Sequence, residues 1–177
     1  MLLIAHKAQE IKEDIDPKFG VEIDVRDHHS HVMVGHDTIH GSAQLLNDWM
    51  KLHPDHPMYA VNVKADGFER KLTNIMNARV GPDRWFAFDM SFPTTRRLEG
   101  LGAPIALRVS ELEDGNEEQY VKHMGAWADR WLWELPSPED FIYTLTGQKP
   151  HYFVSPELHT KKGGMDYVRH WWEIARN

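Results

Sequence analysis

Short apolar runs alternate with longer amphipathic stretches along this chain. The runs LLIAH (2–6), VEIDV (21–25), HVMVG (31–35), YAVNVK (59–64), WFAFDM (85–90), PIALRVS (104–110), RWLWEL (130–135) and HYFVS (151–155) predict strands. Most are rich in β-branched or aromatic residues and end at Pro, Gly or Asp, which interrupt pairing. The stretches between them predict helices. Residues 42–53 have Ser42 as a candidate N-cap, and 68–80 place Phe68, Leu72, Ile75 and Met76 on one face. Further helices are predicted over 93–102, 117–130, 138–147 (Ser137 as cap, Gly147 as stop) and 166–176, where Trp171, Trp172 and Ile174 read as packing residues.

Strands alternating with helices imply parallel pairing with helical crossovers. An open doubly wound sheet and a β/α barrel both satisfy that pattern. The first strand is followed by AHKAQE (5–10), not a glycine-rich phosphate loop, so a dinucleotide-binding fold has no motif behind it. HVMVG follows VEIDV after a few polar residues, a spacing that suits a hairpin beside the main sheet.

Within these strands, polar residues fall in a pattern. Glu22 and Asp24 are two apart, as are Asn62 and Lys64, so each pair faces one way, while Val21, Ile23, Val25, Val61 and Val63 face the other. A parallel strand is normally apolar on both faces. Two buried like charges cost several kcal/mol each, on the order of the effective penalty for an unpaired ion, unless a cation compensates. A hard divalent ion such as Mg²⁺ or Ca²⁺ takes oxygen ligands of this kind. The alternative is an edge strand whose polar face is solvated. His6, Asp89, Arg108, Glu134 and Ser155 also lie at or just beyond predicted strand ends, so a shared mouth would collect them.

Composition narrows the function classes. At 177 residues the chain suffices for one domain with a core, and its 41% hydrophobic and 27% charged residues are ordinary for a globular protein. The formal charge of −7 argues against non-specific nucleic-acid binding, which rests on Lys and Arg neutralising phosphates. There is no cysteine, hence no disulfide framework or thiolate metal site. The opening apolar run is too short for a signal core or a membrane span, so a cytoplasmic protein without integral membrane association is expected.

The pieces IAHK (4–7), VEIDV (21–25), VMVGHD (32–37) and VNVK (61–64) together resemble the glycerophosphodiester phosphodiesterases, within the phosphatidylinositol-specific phospholipase C-like superfamily. That family carries a His-Arg pair after its first strand and a Glu-x-Asp metal pair on its second. A His-Asp pair follows a small hairpin, and an acid-x-Lys motif lies on the third strand. The resemblance implies a TIM-type β/α barrel and a small glycerol- or sugar-linked phosphodiester as substrate. It implies His6 and His36 as general acid and base, and Glu22, Asp24 and Asn62 around Mg²⁺ or Ca²⁺. Lys64 and Lys7 would lie near the phosphate, with Arg108 as a further anion contact. Apart from the resemblance, Glu157 and His159 lie in a loop beyond the last predicted strand with Lys161 and Lys162, and two readings stand: residues that line the mouth and select the substrate, or a solvated loop.

The chain also departs from the family. Lys7 stands where arginine is usual and lacks its bidentate fork. Asn62 stands where an acid is usual, and the Pro-Glu-Asn-Thr run after the first strand is absent. A barrel of this kind typically takes about 250 residues. Seven barrel strands plus the hairpin are predicted here, so an incomplete barrel is expected, one that would favour a homo-oligomer. These departures sustain a second reading, a non-catalytic relative that binds a phosphorylated ligand. A third is a zinc amidohydrolase-like site on the His-x-His pair of His29 and His31.

Overall fold

A computed structural model describes residues 2–37, 43–109, 125–128, 151–153 and 173. The chain divides into two compact units, Leu2–Ile105 and Ala106–Asn177, the latter taken together with Met1. In the first unit, β1 (Ile4–Ala5) runs into a tight 3₁₀ turn at Ala8–Glu10. There follow β2 (Gly20–His28), β3 (His31–Val34), β4 (Gln44–Leu45), α1 (Leu46–Leu52), β5 (Tyr59–Val63), α2 (Glu69–Val80), β6 (Trp85–Phe88) and α3 (Phe92–Gly100).

β2 organises this unit. One edge pairs with β5 in parallel from Val21 to Val25, and β5 pairs onward with β6. The other edge is shared between two strands. β1 pairs in parallel at Gly20 and Val21, and β3 pairs antiparallel from Val25 to His28. Glu22, Ile23 and Asp24 lie between them on that edge. Gly20 permits the crowding at the start, since a Cβ there would come within 3.1 Å of both Ile4 and the Met58 carbonyl. β3 returns through His29 and Ser30, both at positive φ (45° and 66°), as a two-residue hairpin requires.

The pleat separates chemistry by face. Val21, Ile23 and Val25 are fully buried, as are Tyr59 and Val61 of β5, with Val63 at the strand end nearly so. α2 places Leu72, Met76 and Val80 in the core; Thr73 is buried too, whereas Ile75 is only half-buried. The opposite face of β2 carries Glu22 and Asp24. By register these stand in rows with Ala60 and Phe86, and with Asn62 and Phe88.

The strand expectations hold in position for 2–6, 21–25, 31–35, 59–64, 85–90, 104–110 and 151–155, with shorter or shifted ends. The hairpin is present, and the alternative of a solvated polar face for Glu22 and Asp24 fails, because both side chains are buried. Two helix expectations need correction. Gln44 and Leu45 pair with Val34 and Met33 before α1 begins, because the free edge of β3 captures them. Gly125–Ala128, inside the helix predicted over 117–130, forms β8 of the second unit, between β7 (Ala106–Val109) and β9 (His151–Phe153), all parallel. Ladder pairing overrides the polar, helix-favouring flanks there. The strand predicted at 130–135, the helix at 138–147 and Ser42 lie outside the described residues. So does the helix at 166–176 apart from Glu173, which is helical. The described elements make a mixed α/β protein with a six-stranded and a three-stranded sheet, and neither sheet closes on itself among the described residues.

Candidate active site

The site is built where β1, β5 and β6 end alongside the first half of β2. β1 stops at Ala5, and Lys7 takes the left-handed conformation (φ 48°), which turns the chain across the unpaired notch in the β2 edge. Two contacts follow from that turn. The Lys7 backbone N–H donates to Glu22 Oε2 at 2.7 Å, and His6 Nδ1 lies 3.2 Å from the same oxygen. The Gln9 side chain then enters the notch. Its Nε2 donates to Asp24 Oδ2 at 2.8 Å, and its Oε1 accepts from the Asp24 backbone N–H at 3.4 Å. Gln9 thus takes the place of a neighbouring strand for a backbone donor that neither β1 nor β3 reaches.

The two carboxylates are deeply buried, at 2% exposure for Glu22 and 1% for Asp24. Each has one oxygen held by the β1 turn. The other oxygens, Glu22 Oε1 and Asp24 Oδ1, have no hydrogen-bond partner, and neither does Asn62 Oδ1, in register with Asp24 on β5. A buried acceptor without a partner costs about 1–3 kcal/mol, so three together are an expensive arrangement to keep. Phe86 and Phe88, both buried in the facing rows, lower the local dielectric.

Lys64 follows β5 on the Asn62 side of the pleat. Its ammonium lies 3.6 Å from Asp24 Oδ1 and 3.1 Å from Asp89 Oδ2. Asp89 reaches it because a positive φ of 60° turns the chain as β6 ends. Burial, then the Glu22 charge, raises the Asp24 carboxyl above its ordinary range, against the pull of Lys64. His6 is also raised, by its hydrogen bond to Glu22 acting against desolvation, so it holds its proton to higher pH than an ordinary histidine.

His36 arrives by a different route. The Gly35 N–H donates to the Asp24 carbonyl at 2.9 Å, closing β3 beside the acid pair. The next residue is His36, whose carbonyl accepts from Arg26 at 3.1 Å and whose Nδ1 sits 2.8 Å from Asp37 Oδ1. Its ring lies within electrostatic reach of Asp24, and its hydrogen bond to Asp37 lowers that carboxyl below the usual range.

Of the residues expected from sequence, the structure therefore gathers His6, Glu22, Asp24, Asn62 and Lys64, with His36 within electrostatic reach of Asp24. Lys7 contributes its backbone N–H, while its ammonium turns to Glu10 at 3.6 Å. Arg108 lies on β7 in the second unit. Glu157 and His159 lie outside the described residues. His29 and His31 are exposed at and beside the hairpin turn. Among the described residues, no group of three or more His, Cys, Asp or Glu side chains is gathered as a metal centre.

Gln9 was not legible as a site residue: it lies in a turn, and its partner is fifteen positions away. Asp89 carried a weak signal, an acid just beyond a strand on the same side of the sheet as the other polar strand ends.

No family profile matches the chain, and no curated protein does. Among solved structures, it resembles a protein of Silicibacter pomeroyi DSS-3 provisionally named a glycerophosphoryl diester phosphodiesterase. The TM-score is 0.51 at 8% identity, over 88% of this chain and 83% of that one. At that identity the likeness concerns fold. Among the described residues, no helix is long and apolar enough to cross a membrane.

Proposed function

We propose that the chain hydrolyses a small phosphodiester, with glycerol- or sugar-linked esters as the substrate class, at the mouth formed by β1, β2, β5 and β6 of a β/α barrel. One observation carries the reading. Three buried oxygens, Glu22 Oε1, Asp24 Oδ1 and Asn62 Oδ1, lack hydrogen-bond partners on one face of the sheet, beside a proton-holding histidine and a lysine. The fold likeness to a protein of that provisional name supports it.

The donor set fits a hard cation, all oxygen with two formal charges, and Mg²⁺ or Ca²⁺ is the class expected. Glu22, Asp24 and Asn62 would hold such an ion, which would supply Lewis-acid neutralisation of phosphate charge. Lys64 adds a second positive charge on the same side.

Hydrolysis forms one P–O bond and breaks another. His36 takes a proton from the attacking water, and His6 gives one to the departing alkoxide. Each histidine is then left in the protonation state that the other began with, and proton exchange with water resets the pair. The raised His6 suits the acid role, and Glu22 both sustains its charge and fixes its ring through Nδ1.

A phosphate-binding role without turnover is the second reading. Asn62 favours it, since its oxygen brings no charge to the cation.

Turnover of bis(p-nitrophenyl) phosphate and of glycerophosphodiesters should be measured with and without EDTA, for the wild type and His36→Ala. Activity lost with EDTA and at least ~100-fold lower in the variant is the expected result. Activity unchanged in His36→Ala would overturn the acid–base assignment. Binding of inorganic phosphate with no turnover would favour the second reading.

A further inference from the structure

We infer that Gln9 is a positioning residue that makes the site discriminate between divalent cations, favouring a small octahedral ion over Ca²⁺; this rests on the metal site proposed above. Gln9 holds Asp24 twice. Its Nε2 occupies Oδ2 at 2.8 Å, and its Oε1 receives the Asp24 backbone N–H at 3.4 Å. The carboxylate is then held in one orientation, with Oδ2 turned toward Gln9 and Oδ1 away from it. Glu22 is held the same way, with Oε2 taken by the Lys7 N–H and by His6. The oxygens that accept no hydrogen bond are Oε1 of Glu22, Oδ1 of Asn62 and Oδ1 of Asp24, the last with the Lys64 ammonium 3.6 Å away.

The number of oxygens decides the preference. Ca²⁺ takes six to eight oxygens, about 2.3–2.6 Å away, and commonly uses a carboxylate through both oxygens. Mg²⁺ takes six at about 2.0–2.1 Å in strict octahedral geometry, holds most of its waters, and is satisfied by a few single oxygens. Three single oxygens on adjacent strands meet the second requirement and leave the first short. Gln9 is the side-chain device that withholds the extra oxygen at Asp24. It enters from a turn, so it is tuned without altering the sheet.

The test is calorimetric titration of Mg²⁺ and of Ca²⁺, separately, into the wild type, Gln9→Ala and Gln9→Met. Methionine preserves the volume in the notch but removes both hydrogen bonds, so it reports on orientation alone, whereas alanine also leaves the notch unfilled. Circular dichroism and thermal melts verify that each variant is folded. The expected result is that Gln9→Met shifts the Mg²⁺/Ca²⁺ affinity ratio toward Ca²⁺ by about tenfold, because Asp24 then offers a second oxygen. Cation binding with an unchanged ratio in Gln9→Met would overturn the role of Gln9 and leave the metal site standing. Binding of neither ion to the wild type would overturn the metal site itself, and the inference with it.

Discussion

Two carboxylate clusters lie in the first unit of this chain, and they are built to opposite specifications. One is the Glu22–Asp24 pair. The other joins the β5–α2 and β6–α3 connections. There Glu69 Oε1 accepts from the Gly67 N–H at 3.0 Å, from Thr94 Oγ1 at 2.9 Å and from Arg97 at 2.9 Å. Asp66 Oδ1 accepts from Ser91 Oγ at 2.8 Å and also lies 2.8 Å from Thr94 Oγ1. Ser91 meanwhile caps α3 by accepting from the Thr94 N–H. Glu69 is buried, and desolvation alone would raise it. Its hydrogen bonds outweigh that and bring it down to about 2. Asp24, with a cation on one oxygen and Gln9 on the other, is nonetheless raised.

The difference teaches how to tell a brace from a binding site. A satisfied buried carboxylate stabilises the fold, whereas an unsatisfied one is kept in an unfavourable state by the surrounding structure. In this protein the brace holds two loops whose first residues supply Lys64 and Asp89 to the unsatisfied cluster.

The largest effect that would break the comparison is on turnover. His6→Ala should lower phosphodiester hydrolysis by at least ~100-fold, since the leaving group loses its proton donor. Thr94→Val, in the brace, should change it by less than about threefold, the size of a ~0.6 kcal/mol effect. Equal losses in the two variants would mean that the brace enters the chemistry.

Cation binding sharpens it next. Glu22→Gln should weaken Mg²⁺ binding by at least ~10-fold through loss of a charged ligand, while Glu69→Gln should leave it unchanged, both read by calorimetry.

Stability gives the smallest and most diagnostic effects. Glu69→Ala should cost about 2 kcal/mol, because it strips a charged acceptor from buried donors. That lowers the melting midpoint by ~5 °C. Asp24→Asn should raise stability in cation-free buffer by about 1 kcal/mol, as removal of a strained functional charge often does.

The pH dependence must then differ in sign. Glu69 binds a proton more readily unfolded than folded. Its contribution is therefore present above its unfolded value of 4.5 and is lost as pH falls toward about 2. Asp24 is raised, so the folded state binds the extra proton, and stability falls as pH rises from 3.8 through the raised value. His6 behaves likewise. Its contribution is complete below 6.5 and is lost as pH rises through its raised folded value. Urea midpoints across pH 2–9 for Asp24→Asn and Glu69→Gln, each subtracted from wild type, should slope in opposite directions. Parallel slopes would erase the distinction between the clusters.

What the sequence determined by itself is what obeys a local period. A strand alternates with period two, so the shared face of Glu22 and Asp24, and that of Asn62 and Lys64, is written in their spacing. The apolar runs marked most strands, and the hairpin announced itself by its short polar turn. Only the tertiary structure decided which polar atoms meet. Gln9 reaches Asp24 because β1 ends early and Lys7 turns the chain into a notch between two strands. Asp89 reaches Lys64 because a left-handed residue turns the chain at the end of β6. The same holds for elements: Gln44–Leu45 and Gly125–Ala128 became strands because a neighbouring edge offered hydrogen bonds that local propensity does not register. Spacing along a chain reports which face a residue takes, whereas an oxygen gains or loses its partner through residues distant in sequence.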